Sequence, residues 1–180
     1  MEETTVDVMH NGLPLATARQ TTLGLYATAR EAYQMLTADP ETIRLLDVRS
    51  LEEYVFVGHA PQAWLVPLAD FTHEWNAEGT SMRWAPRPDF VTSVQRWFAP
   101  DATVLVTCRS GGRSAMAINA LAAAGFTRLY NVIDGMEGGL VDDPSSVHHG
   151  MRMKNGWRNS GLPWTYDLDP SRMMVAGEPG

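Results

Sequence analysis

The sequence predicts an α/β fold, a central parallel sheet of four to five strands flanked by helices, on three observations. Short apolar runs suited to strands buried on both faces alternate along the chain with stretches whose apolar residues recur at helical spacing. The chain has 180 residues and is 44% hydrophobic, enough for one domain with a full core. The run from Thr103 to Thr107 ends at the single cysteine, Cys108, and Arg109-Ser110-Gly111-Gly112-Arg113-Ser114 then leads into an alanine-rich helical pattern ending at Gly125. That unit reads as strand, loop, helix.

Taken in order, residues 1–20 show no sustained period and carry the turn or extended signals Asn11-Gly12 and Leu13-Pro14. Residues 1–24 are therefore expected to be an arm, mobile or wrapped over a single domain at 25–166. Thr28-Ala29-Arg30-Glu31 has capping-box spacing, with Ala32, Met35 and Leu36 as an apolar stripe, so a helix starts there and stops at Asp39-Pro40. Ile43 to Val48 reads as a buried strand and Trp64 to Val66 as another. Asp70 to Pro88 reads as a long irregular excursion. Excursions of that length are often functional, although its Trp75 and Trp84 are expected to pack its underside. A helix over about 89–98 follows, with Phe90, Val94 and Trp97 on one face and Pro100 stopping it.

The helix after the cysteine offers Met116, Ile118 and Leu121 to the sheet, with Gly125 as its C′ residue. Leu129 to Ile133 is the last strand. Residues 140–155 read as an insertion, and 167–180 as a poorly ordered tail.

Composition excludes several classes. A formal net charge of -7 argues against a broad nucleic-acid or acidic-membrane surface. No stretch approaches the roughly 18 apolar residues of a membrane span. Met1-Glu2-Glu3-Thr4-Thr5 lacks the basic start and apolar run of a signal peptide, so a cytoplasmic location is expected; a removed leader would leave no trace. One cysteine excludes an intramolecular disulfide and a thiolate metal cluster. His148-His149 is weak as a metal site, because adjacent histidines point in different directions, and no metal or organic cofactor is expected.

Cys108 is the candidate nucleophile. A loop opening a helix can turn backbone N–H groups inward and cradle negative charge, and a helix N-terminus with nearby arginines lowers a thiol from its ordinary value of about 8.5. A buried structural cysteine needs neither Gly111-Gly112 nor flanking arginines. The site is expected to be accessible from the surface, with Arg113 shaping the pocket and Arg109 recruiting an anion. Ser110 and Ser114 either add hydroxyl donors or cap the loop and helix. Asp47, at a strand end, either holds loop backbone or arginine side chains or caps a turn. Arg49 and Glu53 read as a structural ion pair, and Gly58-His59 as a turn with a structural histidine.

The loop from Cys108 to Arg113 resembles the active-site loop of the rhodanese (sulfurtransferase) family. Leu46-Asp47-Val48-Arg49, Glu52-Glu53-Tyr54, Gly58-His59-Ala60-Pro61 and Val66-Pro67-Leu68 resemble its N-terminal signature. Asp134-Gly135-Met136-Glu137-Gly138-Gly139 and Trp157 to Pro163 resemble its closing segments, with 140–155 inserted between them. The resemblance covers roughly Leu25 to Pro163 without repeat and implies a single-domain member with a five-stranded sheet. It implies sulfurtransfer by double displacement: Cys108 takes the outer sulfur of a small anionic donor such as thiosulfate and passes it to cyanide or a thiol. Gly111, Gly112 and the loop N–H groups would hold the persulfide, Arg109, Arg113, Ser110 and Ser114 the donor, with Asp47 and Arg49 in support. Phosphatases of this fold place one more residue between Cys and Arg and usually a His where Thr107 stands, so a phosphatase or arsenate reductase is the lesser alternative. A carrier that relays persulfide sulfur to a protein partner is another.

Overall fold

The computed structural model describes residues 8–174. The arm opens with a tight hairpin, β1 (Met9–His10) and β2 (Leu13–Pro14), turned by Asn11 and Gly12, both at positive φ. Residues 1–7 lie outside the described part.

Five short strands build one parallel sheet. β3 (Tyr26–Ala27) is followed by α1 (Ala29–Ala38), which starts on the capping box read from the sequence: Thr28 and Glu31 exchange both bonds. β4 (Ile43–Asp47) leads into α2 (Leu51–Val57), a helix sequence reading missed although Ser50 and Glu53 form a second capping box. β5 (Ala63–Leu65) follows.

The next segment departs from expectation. Residues 69–86 form an antiparallel hairpin, β6 (Ala69–Trp75) and β7 (Met82–Pro86), with a bulge between Phe71 and Trp75. Trp75 is 64% exposed, against expectation, whereas Trp84 packs at a tilt on Phe71, ring centres 3.8 Å apart, so only Trp84 packs under the excursion as expected. The alternation was hidden because both faces carry polar or half-exposed residues, leaving no buried period to read.

α3 (Phe90–Gln95) is shorter than the predicted 89–98, because its last turn tightens to an i to i+3 bond from Trp97 N–H to Val94 O. β8 (Thr103–Thr107), α4 (Gly112–Ala123) and β9 (Leu129–Val132) complete the sheet, in the order β3-β9-β8-β4-β5. Alternate residues feed two cores. Leu45 and Leu105 meet α1, α2, Met136 and Trp157 on one face; Leu46, Val104 and Val106 meet α3 and α4 through Phe90, Val94, Ile118 and Leu121 on the other. Met116, expected on the sheet side of α4, is exposed, one residue out of phase with Ala117 and Ile118.

The chain's last described stretch is packed, contrary to the expected disordered tail. Thr165 bridges His59, a single 3-10 turn spans Pro170–Arg172, Met173 is buried, and Met174 N–H donates to Leu65 O at 2.8 Å. The edge strand β5 had unpaired backbone groups, and this segment covers them. Residues 175–180 lie outside the description. Within 140–155, Val141 bridges His149 and Lys154 pairs with Asp142, while Trp157 returns to the core, its indole N–H on Pro163 O at 2.8 Å. Among the described residues no helix is long and apolar enough to cross a membrane.

Candidate active site

β4 and β8 are neighbours whose onward connections diverge. From β4 the chain crosses one face through α2 to β5; from β8 it crosses the other through α4 to β9. The crevice at their C-terminal ends is where open α/β sheets place ligands. Asp47 stands there opposite Thr107 in register, and Cys108 is the next residue.

The loop folds over its own sulfur. Gly111 takes φ of 96°, and a Cβ there would lie 2.2 Å from Ile133 O, so only glycine fits. This aims Gly111 N–H at Cys108 Sγ, 3.2 Å away, at the entrance of α4. Ser114 Oγ lies 3.4 Å from the same sulfur and 2.6 Å from Asn131 Oδ1. The Asn131 amide nitrogen donates to Gly111 O and Arg19 O, at 3.0 and 2.8 Å, which fixes Oδ1 as an acceptor. Ser114 has one hydroxyl proton, and the shorter contact claims it. In this state Gly111 N–H is thus the donor facing sulfur, and Ser114 must turn from Asn131 to become a second. Cys108 is only 1% exposed, a correction to the surface-accessible site expected, because this loop and the strand ends enclose it.

The turn after β9 braces the loop from behind. Met136 N–H donates to Cys108 O at 2.8 Å, and Glu137 and Gly138 N–H both donate to Arg109 O, at 3.0 and 3.2 Å. Gly135, at φ of 61°, passes so close that a Cβ would sit 2.5 Å from Cys108 O. Arg109 therefore has a fixed backbone and an exposed side chain.

The charges pair differently from the sequence reading. Arg49 does not pair with Glu53. It folds back on Asp47, Nη2 to Oδ2 at 2.7 Å and Nε to both oxygens at 3.0 Å, with Gly58 O at 2.8 Å, all buried. Its Nη1 has no partner among the described residues. Asp47 thus holds Arg49, two residues along its own chain.

Glu53, three residues into α2, instead clamps Arg113 with two bonds of 2.6 Å. Burial opposes both charges, but these bonds outweigh it, holding Glu53 below the usual carboxylate range and Arg113 above the usual arginine range. Trp84 of the hairpin covers the guanidinium, 4.7 Å from ring centre to Cζ.

Of the predicted residues, Cys108, Arg109, Gly111, Gly112, Arg113 and Ser114 come together here, while Asp47 and Arg49 form a pair at the neighbouring strand end. Ser110 lies on the loop with no side-chain hydrogen bond among the described residues. His59 is buried and stacked on Tyr54 at 3.7 Å, a structural role. Sequence reading missed Asn131, Glu53's true partner and Trp84. Asn131 had one signal, an amide inside the apolar strand Leu129–Val132, which implies a buried polar partner.

The fold and loop define an α/β protein with a cysteine at the switch point of a parallel sheet. Residues 28–140 match the model of the rhodanese-like domain, and the chain belongs to that family. It is 38% identical over 92 residues to Thiosulfate sulfurtransferase 16, chloroplastic, of Arabidopsis thaliana, covering 51% of this chain and 69% of that one. An uncharacterized protein of Rickettsia prowazekii is 28% identical over 136 residues, covering 76% of this chain and 93% of that one. Among solved structures, Rv0390 from M. tuberculosis is similar with a TM-score of 0.59 and 32% identity, covering 79% of this chain and 99% of that one.

Proposed function

We propose that the chain is a sulfurtransferase that moves a sulfane sulfur from a small anionic donor such as thiosulfate, through a persulfide on Cys108, to cyanide or a thiol. The observation that carries the reading is Cys108 at the head of α4 with Gly111 N–H directed at its sulfur. Similarity to a plant protein named a thiosulfate sulfurtransferase supports the same chemistry.

In the first step the Cys108 thiolate attacks the outer sulfur of thiosulfate. A new S–S bond forms, the old one breaks, and sulfite leaves with the electron pair. The terminal sulfur of the persulfide then carries negative charge at the helix entrance, where Gly111 N–H and a rotated Ser114 hydroxyl are within reach. In the second step cyanide, or a thiolate on a small molecule or a protein, attacks that terminal sulfur and Cys108 departs as thiolate. Arg109 recruits the donor anion, and Arg113, clamped by Glu53, shapes the pocket.

Intact mass after incubation with thiosulfate, then cyanide, tests the reading. Gain of one sulfur atom followed by its loss is expected; an unchanged mass with fresh, reduced protein rejects it.

A further inference from the structure

Beyond the loop itself, two arginines pack against this site from parts of the chain outside the family match over 28–140: Arg19 from the arm, through its carbonyl, and Arg152 from the insertion, through its guanidinium. The arm's 3-10 turn, Thr17–Arg19, lies against the start of α4. Arg19 O accepts from the Asn131 amide that also holds Gly111 O. On the other side Arg152 Nη1 donates to Gly138 O at 2.9 Å, and Gly138 N–H in turn donates to Arg109 O. Asn159 fastens this arrangement, its side-chain amide donating to both Arg152 O and Glu137 O.

Among the described residues the side chains of Arg19 and Arg109 make no hydrogen bond or ion pair, and Arg152 has only a carbonyl. Two nearby carboxylates are neutralised elsewhere, Glu53 by Arg113 and Asp47 by Arg49, while Asp134, held by the N–H groups of Ala29 and Gly156, keeps its charge within electrostatic reach of Arg19. Glu137 is within electrostatic reach of Arg152 but forms no ion pair among the described residues. Burial, then repulsion from Arg109, Arg19 and Arg113, holds the Arg152 guanidinium below the usual arginine range. On a protein of net charge -7, three guanidiniums without an ion-pair partner among the described residues, opposed through space by only Asp134 and Glu137, leave a local positive field that an anion relieves.

We propose that Arg19, Arg109 and Arg152 form a cationic rim over the Cys108 loop that receives a doubly charged sulfur donor and favours it over singly charged ones. The inference deepens the sulfurtransfer reading and rests on it for the identity of the anion as donor. The arm and the insertion are then specificity elements added to the family core.

The test measures thiosulfate binding by calorimetry on the non-reactive Cys108→Ser protein, and turnover on the otherwise unaltered chain. Arg152→Gln and Arg19→Gln are each expected to weaken thiosulfate binding about three- to tenfold, between an exposed ion pair and a direct charge-assisted contact. In turnover the same variants should raise KM for thiosulfate with kcat kept, and raise KM less for a monoanionic aryl thiosulfonate. They should also flatten the salt dependence of kcat/KM, and Arg152→Lys should restore most of the loss. Arg19→Gln removes no hydrogen bond among the described residues, so it remains informative if Arg152→Gln misfolds. Unchanged thiosulfate binding and salt dependence in Arg19→Gln and Arg152→Gln, or in Arg19→Gln alone where Arg152→Gln misfolds, with turnover intact, would overturn the rim and leave the sulfurtransfer reading standing. Weakened thiosulfate binding in a protein that never acquires sulfur would do the reverse.

Discussion

Glu53 grips Arg113 through two hydrogen bonds of 2.6 Å, so the last arginine of the Cys108 loop is aimed by α2 rather than by its own helix. Both partners are largely buried, and removing one strands the other. Glu53→Gln is expected to lower unfolding stability by about 2 kcal/mol and to lower kcat, because a loosened Arg113 lets the loop N–H groups drift. Arg113→Ala should follow the same pattern. Arg109→Ala should instead raise the thiosulfate KM roughly ten- to hundredfold with less effect on kcat, since its side chain is exposed and acts on the bound anion and transition state alike. A pure kcat loss in Arg109→Ala would reverse the assignment.

Cys108→Ser should fold normally, since oxygen fits where sulfur does, yet retain less than about 1% of transfer, because a hydroxyl forms no persulfide. Circular dichroism checks the fold and a cyanide assay the activity. Activity above that level would place the chemistry elsewhere.

Gly135 passes beneath Cys108 O at positive φ. Gly135→Ala introduces a methyl group that backbone must move to admit, so a loss of about 2–4 kcal/mol is expected together with a fall in kcat. Chemical denaturation and steady-state kinetics read the two effects. A variant as stable and active as the parent would mean the turn does not brace the loop.

The arm is tied to α1 by Glu31, whose carboxylate accepts from Thr28 N–H and hydroxyl, Asn11 and His10. Burial raises its pKa, but these bonds outweigh that and bring it from 4.5 to about 2. The folded value lies below the unfolded one. Its contribution to stability is therefore complete above about pH 4.5 and lost as pH falls through about 2. The stability difference between the parent and Glu31→Gln, measured by denaturation across that range, should shrink toward acid. A difference independent of pH would show that Glu31 acts only as a helix cap.

Although the two-residue edge strand β3 (Tyr26–Ala27) was too short to show a pattern, the other four of the five sheet strands, the start of α1 and the loop that holds Cys108 were legible in the sequence. Each rests on local rules: buried strands are apolar throughout, Thr28 and Glu31 are close in sequence, and Gly111 must take positive φ wherever that turn occurs. Only the tertiary structure decided which charges meet. Arg49, Glu53 and Arg113 lie on different elements, and nothing local distinguishes the pairs Arg49–Asp47 and Glu53–Arg113 from the pair Arg49–Glu53 that their closeness in sequence suggested. The same holds for Trp84 over Arg113, for Asn131 between Gly111 O and Arg19 O, and for Arg152 on Gly138 O behind the Arg109 backbone, each far apart along the chain. Ion pairs and polar networks depend on distances of a few ångströms between side chains, and those distances are set by packing the two cores, not by the spacing of residues in sequence.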